Sequence, residues 1–98
     1  MRFRYHAQAR AELLKAARFY DDRSRGLGDD FLNEVDRAIE SILLTPTSWP
    51  VIFGQIRRRV LTSAFPYNII YSIVDGTLFI IAVAHHSRDE DYWTSRAE

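Results

Sequence analysis

The chain has 98 residues, of which 47% are apolar and 27% charged, and its formal net charge is zero. This length predicts one domain, over residues 1–98. The absence of cysteine excludes disulfide bonds and thiolate metal sites, and no apolar stretch approaches the roughly 20 residues that a membrane span requires. A neutral chain also has no overall electrostatic attraction to nucleic acid. We therefore predict a compact cytoplasmic protein that does not enter a membrane.

The first half of the chain predicts a short strand followed by two helices. Residues Arg2–Tyr5 alternate charged and aromatic side chains, which is typical of a strand with one buried face. From residue 7 to about residue 23, apolar side chains recur at helical spacing. They are Ala9, Leu13, Ala16, Ala17 and Tyr20. A second apolar stripe predicts a second helix, formed by Phe31, Val35, Ala38, Ile39 and Ile42.

The ends of the two helices are marked by residues that favour turns. Gly26 and Gly28 separate the helices, and Asp29 or Asp30 is predicted to cap the second one. Thr45-Pro46 ends the second helix, because proline disfavours helical geometry in the residue before it. The two helices are therefore predicted to form an antiparallel hairpin.

Three strands are predicted in the second half, after a loop over residues 45–53 that contains Trp49. The strands are predicted over Ile56–Leu61, over residues 65–74 and over Thr77–Ala84. Asp75-Gly76, between the last two, is typical of a type I′ hairpin turn, which needs positive φ at both central residues. The sequence thus predicts an α+β fold of order β-α-α-β-β-β, with the helical hairpin packed on an antiparallel sheet.

The hairpin turn also predicts a register and two apolar faces for the last two strands. The predicted pairs are Ile73 with Leu78, Tyr71 with Ile80, Ile69 with Ala82 and Tyr67 with Ala84. The opposite face is predicted to hold Ile70, Val74, Phe79, Ile81 and Val83. One face meets the helices, and the other needs a cover. That cover is either a partner protein or the chain itself, through the loop with Trp49 and the tail with Tyr92 and Trp93.

Several short motifs, in this order, give the chain its resemblance to a known family. They are "LGDDF" after the first helix, "IRRRVL", "FPYNIIY", "IIAVAHHSR" and a closing "DYW". Their order and spacing resemble the RelE/ParE superfamily of type II toxin-antitoxin toxins over nearly the whole chain. Within the superfamily the sequence is more similar to the ParE, or plasmid-stabilisation, branch.

The resemblance implies a bacterial toxin that a co-encoded antitoxin holds inactive in a hetero-oligomer. ParE-type toxins inhibit DNA gyrase by binding it, and no cofactor is implied. RelE-type toxins instead cut messenger RNA on the ribosome, as metal-independent endoribonucleases. A degenerate, non-toxic member of the superfamily is a third alternative. Because the branches share a fold, the fold alone does not choose among these functions.

The candidate site residues lie on one predicted strand and near the C-terminus. For a nuclease, the resemblance implies catalytic roles for four residues, which are Arg58, His86, Arg88 and Tyr92. For a toxin that binds its target, the predicted contact residues are Arg57, Arg59, His85 and Trp93. If the last strand continues, His85 and His86 point to opposite faces, so at most one of them lines a given site.

Two features favour the protein-binding interpretation over the nuclease. RelE-type enzymes are strongly basic, whereas this chain is neutral and Asp89, Glu90 and Asp91 follow Arg88 directly. Three carboxylates there would repel an RNA backbone. A metal site is not predicted, because the adjacent His85 and His86 have poor geometry for binding one ion.

Overall fold

The computed structural model describes residues 1–61 and 64–97 and contains two helices and five strands in that part of the chain. The helices are α1 (Ala7–Arg23) and α2 (Leu27–Leu44). The strands are β1 (Arg2–Tyr5), β2 (Val51–Phe53), β3 (Ile56–Val60), β4 (Tyr67–Val74) and β5 (Thr77–His85). A short 3₁₀ helix spans Thr94–Arg96. The α+β class is confirmed, whereas the single domain over residues 1–98 stays a prediction, since residues 62, 63 and 98 lie outside the described part.

The strands form one mixed sheet rather than the predicted antiparallel one. Their order is β1-β5-β4-β3-β2, and β1 pairs with β5 in parallel while the other pairs are antiparallel. The parallel pair arises because the helical hairpin and three further strands separate β1 from β5. The loop prediction for residues 45–53 is also wrong at its end, where β2 pairs with β3 as a short edge strand.

A β-bulge in β5 changes the predicted register of the β4–β5 hairpin. Near the turn the predicted pairs Ile73–Leu78 and Tyr71–Ile80 are correct, and Asp75 and Gly76 have φ values of 51° and 73°. Beyond them Ile81 is the extra residue, so Ile69 pairs with Val83 instead of Ala82. Val83 therefore faces the helices, not the opposite side. Ala82 and Ala84 take the opposite face.

The junction between the helices is capped from α1 rather than by the predicted Asp29 or Asp30. Gly26, with a φ of 90°, is the cap residue, and the two aspartates lie in the first turn of α2. Asp21 Oδ1 accepts hydrogen bonds from the backbone N–H groups of Gly26 (3.1 Å) and Gly28 (2.9 Å). The carboxylates of the first turn still stabilise the positive end of the helix dipole.

Apolar side chains pack on both faces of the sheet. The helices cover the first face, where Phe31, Ile69 and Leu78 are fully buried. The second face is covered by the C-terminal segment through Trp93, which is 3% exposed. Trp49 lies on the helix side instead. Within residues 1–61 and 64–97, neither helix is long and apolar enough to cross a membrane.

Candidate functional site

An open groove of about 810 Å³ lies on the second face of the sheet. Its floor is formed by residues of β3, β4 and β5, which are Arg58, Asn68, Ile70 and Ala84. The edge strand β2 borders it with Ile52 and Phe53, and the segment after β5 borders it with residues 86, 88–91, 93 and 94. We call this region the sheet groove. Such a groove is a candidate binding site because polar groups converge on an apolar surface.

The sheet groove brings together five of the eight sequence-predicted residues. These are Arg58, His85, His86, Arg88 and Trp93. Arg57 and Arg59 are on the opposite face of β3, as the alternation of a strand requires. Tyr92 packs beside the groove but its hydroxyl points away, toward α1.

Arg57 and Arg59 both contact the segment that follows α2. Arg57 donates hydrogen bonds to the carbonyls of Thr47 (3.1 Å) and Trp49 (2.7 Å). The Arg59 guanidinium lies 4.4 Å from the centre of the Trp49 ring and donates to the Ser41 hydroxyl. Both side chains therefore hold this loop against the sheet. Their proposed role in target binding stays a prediction.

Arg58 differs from its two neighbours in that its guanidinium has no partner among the described residues. Its guanidinium forms no hydrogen bond or ion pair within residues 1–61 and 64–97, and its Nε atom is buried. Asn68, on the adjacent strand, has a buried Oδ1 that accepts no hydrogen bond from the described residues. The floor of the groove thus presents an unpaired cation and an unpaired acceptor.

Both histidines border the sheet groove, but the ring of His85 lies on the helix side of the sheet against Tyr67, so the expectation that the two side chains point to different faces is not contradicted. The strand ends at His85, and the chain then turns, so the alternation of side chains does not extend to His86. His85 Nδ1 lies 2.8 Å from the Ser87 hydroxyl, and its ring packs edge-on against Tyr67. The exposed His86 is attached through its backbone N–H, which donates to the Pro66 carbonyl.

A cluster around Glu12 fixes the C-terminal segment and was not predicted. Glu12 forms an ion pair with Arg96 at 2.9 Å, and Glu12 Oε1 also accepts the backbone N–H of Val83. The Tyr92 hydroxyl donates a hydrogen bond of 2.9 Å to Glu12 Oε2. Arg96 donates further to the carbonyl of Ile81. One carboxylate therefore joins α1, the bulge of β5 and the segment that carries Trp93.

The sequence contains one signal of this cluster. Glu12 lies three residues after Ala9 and four before Ala16, which places a charged side chain on the apolar face of the first helix. A charge at such a position indicates a buried partner. Nothing local identifies that partner, because Tyr92 and Arg96 are 80 and 84 residues away.

The Tyr92 hydroxyl is poorly suited to lose a proton. Burial, together with the hydrogen bond to Glu12 and the negative charge of that carboxylate, raises the pKa of Tyr92 well above the usual value for tyrosine. Arg88 lies 3.9 Å from the centre of the Tyr92 ring, but its charge only partly offsets this effect. Tyr92 consequently acts as a neutral hydrogen-bond donor.

The raised pKa values of Tyr5 and Tyr92 predict that the folded protein loses stability in alkali. Burial and the charge of Asp36 raise the pKa of Tyr5 to about 12, and that of Tyr92 is raised as well. Above about pH 10 the unfolded chain releases phenol protons that the folded chain retains, so the unfolding free energy falls as pH increases. We expect a loss on the order of 1–2 kcal/mol between about pH 9 and pH 12, measured by urea unfolding. Tyr92→Phe should make the decrease shallower, and an unchanged slope would contradict the assignment.

The described residues that line the sheet groove carry charged and polar groups that can bind a ligand. No group of three or more metal-ligating side chains occurs in residues 1–61 and 64–97. The available chemistry is therefore that of Arg58 and Arg88 as cations, two histidines, and the three exposed carboxylates of residues 89–91.

Comparison with known proteins identifies the family of this chain. The family model of the ParE toxin of the type II toxin-antitoxin system parDE matches residues 3–90. The chain belongs to the ParE toxin family. None of the curated protein sequences matches it.

The ParE assignment agrees with the fold. A solved structure of the chromosomal ParDE toxin-antitoxin system from P. aeruginosa superposes with a TM-score of 0.62, covering 87% of this chain and 95% of the other. The two sequences are 14% identical, so this likeness concerns the fold alone. The expected membership of the RelE/ParE superfamily is confirmed.

Proposed function

We propose that this ParE-family toxin arrests bacterial growth in the cytoplasm by binding DNA gyrase, and that a co-encoded antitoxin neutralises it. The observation that carries this proposal is the charge pattern of the sheet groove. Among the described residues the guanidinium of Arg58 forms no ion pair, and the exposed carboxylates of Asp89, Glu90 and Asp91 line the same groove together with Arg88. This arrangement suits a protein surface of mixed charge and repels a polyanion.

The antitoxin is proposed to bind on the helix side of the toxin. On the second face of the sheet, Trp93 already covers part of the apolar surface. A smaller groove of about 310 Å³ between α1 and β5 contains Phe19, which is 49% exposed. Leu14, on the same helix, is 47% exposed. Exposed apolar side chains of this size favour contact with a partner protein.

Ribosome-dependent cleavage of messenger RNA is the second candidate function. The observation in its favour is that Arg58, His86 and Arg88 border one groove, as a metal-independent nuclease requires. The Tyr92 hydroxyl does not support it as a proton donor near neutral pH, because Glu12 holds it and its pKa is raised.

Induced expression without the antitoxin distinguishes the two functions. We expect thymidine incorporation to fall within minutes while methionine incorporation continues, and purified toxin to inhibit supercoiling by purified gyrase. The control is co-expression with the antitoxin, which should restore growth. An immediate fall in methionine incorporation, with cleaved messenger RNA and unaffected supercoiling, would contradict gyrase inhibition and favour the nuclease. Unaffected growth would indicate a non-toxic member of the family.

A further inference from the structure

Two polar side chains on the floor of the sheet groove have no hydrogen-bond partner among the described residues. Within residues 1–61 and 64–97, the Arg58 guanidinium has no counter-charge and the Asn68 Oδ1 accepts no hydrogen bond. A carboxylate binds a guanidinium through charge-assisted hydrogen bonds, which are often bidentate and are stronger than those between neutral groups. The two residues lie on adjacent strands and on the same face, two positions apart in the register, since Arg58 pairs with Ile70 and Val60 with Asn68. A peptide carrying an Asp or Glu side chain supplies both the acceptor and a backbone N–H donor.

The segment after β5 adds charge of the opposite sign. Asp89, Glu90 and Asp91 are exposed, and none of them forms an ion pair within residues 1–61 and 64–97. Lysine or arginine side chains that flank the acidic residue of a ligand would meet these carboxylates. A chain of phosphates would satisfy Arg58 but be repelled by the three acidic residues. The charge pattern therefore selects a protein segment.

The opposite border of the groove is apolar and exposed. Phe53 on β2 is 66% exposed, and Val60 on β3 is 44% exposed. Both line the sheet groove beside Ile52. Large apolar side chains in this position lose contact with water when a ligand side chain packs on them. The ligand thus needs an apolar residue near its acidic one.

We propose that the sheet groove binds an extended segment of the toxin's target protein. An Asp or Glu of that segment pairs with Arg58, an apolar side chain packs on Phe53 and Val60, and basic residues face positions 89–91. This inference rests on the proposed protein-binding function, but it does not depend on the target being gyrase. The groove accommodates a short segment, whereas an antitoxin that stays bound buries a surface of roughly 1,200–2,000 Å².

The first test is a selection from a library of random displayed 12-residue peptides against the toxin. We expect enriched peptides to share an acidic residue with apolar and basic neighbours. Arg58→Met should weaken binding of a synthetic enriched peptide by about 10-fold or more. The joint change Asp89→Asn, Glu90→Gln and Asp91→Asn should weaken it less and reduce its dependence on salt. Arg18→Met, an exposed arginine on α1, is the matched control and should leave the affinity unchanged within about two-fold.

The peptide experiment has two outcomes that would overturn the proposal. One is the absence of any enriched sequence, and the other is enrichment of peptides whose affinity does not respond to Arg58→Met. Because the Arg58 side chain forms no hydrogen bond or ion pair with the described residues, we expect the melting temperature of Arg58→Met to equal or exceed that of the wild type. Phe53→Ser, at an exposed position, is a second variant that probes the same groove without altering its charge.

A second experiment separates the target from the antitoxin as the occupant. Arg58→Met and Phe53→Ser should each reduce growth arrest while the antitoxin still co-purifies with the toxin. Loss of antitoxin binding with growth arrest preserved would assign the groove to the antitoxin and overturn the proposal. If purified gyrase is unaffected but growth arrest still depends on Arg58, gyrase is not the target and the groove assignment holds.

Discussion

Glu12→Ala is expected to lower the unfolding free energy of this toxin by about 3 kcal/mol, because it removes a partly buried carboxylate that has three partners. The side chains of Glu12 and Arg96 are only 17% and 9% exposed. Without the carboxylate, the Arg96 guanidinium, the Tyr92 hydroxyl and the backbone N–H of Val83 lose their shared acceptor. In a domain of this size the loss corresponds to a decrease in melting temperature of roughly 12–24 °C.

The matched control for Glu12 is Glu34. In the described residues it is the only other acidic side chain that forms an ion pair. Glu34→Ala breaks the pair with Arg37, which lies on the surface with side-chain exposures of 24% and 72%. We expect that change to alter stability by less than about 0.5 kcal/mol. Equal effects of the two substitutions would show that the Glu12 cluster is not a stabilising centre.

Replacing both members of the buried pair gives a second check. Glu12→Leu combined with Arg96→Met removes both charges and keeps apolar volume, so it should be less destabilising than Glu12→Ala alone. The remaining cost comes from the N–H of Val83 and the hydroxyl of Tyr92. Urea unfolding of the single and double variants measures this difference directly.

The helices and the final hairpin could be predicted because their signals are local. The apolar stripe of α2 and the Asp75-Gly76 turn are determined by residues that are close in sequence. The strand β2 has three residues and lies at the edge of the sheet, where it pairs with β3. A pattern of that length carries no periodicity, so the sequence predicts a loop there.

The register of β5 could not be read from its sequence for a different reason. Both faces of this strand are apolar, so a shift by one residue still places apolar side chains on both sides. The bulge at Ile81 is supported from outside the hairpin, where Glu12 accepts the N–H of Val83 and Arg96 donates to the carbonyl of Ile81. The register of β5 therefore depends on contacts with α1 and the C-terminal segment, which the hairpin turn alone does not predict.

The sequence predicts which residues belong to the candidate site better than it predicts their contacts. The alternation of β3 separates Arg58 from Arg57 and Arg59, because neighbouring residues of a strand point to opposite faces of the sheet. What the sequence did not reveal is which arginines have partners. Arg57 and Arg59 are occupied by a loop whose course depends on the whole fold, while Arg58 is left without a partner in the described residues.

Gly28→Ala is expected to destabilise the toxin by about 3 kcal/mol, although alanine favours a helix more than glycine does by about 1 kcal/mol. A Cβ atom at this position would lie 2.4 Å from the carbonyl oxygen of Ala17 and 2.9 Å from Asp21 Oδ1. The first contact is with backbone, so it is relieved only if α1 and α2 move apart. That movement would also loosen the hydrogen bonds from Gly26 and Gly28 to Asp21.

Two variants separate this close approach of the helices from the other effects of the substitution. Asn33→Ala, at an exposed position of the same helix, gains helix propensity without a clash and should leave stability unchanged or slightly increased, by up to about 0.5 kcal/mol. In an Asp21→Ala background the oxygen of Ala17 remains, so Gly28→Ala should still cost most of its original value. If the cost vanished in that background, the side chain of Asp21 rather than the helix backbone would be what requires glycine at this position.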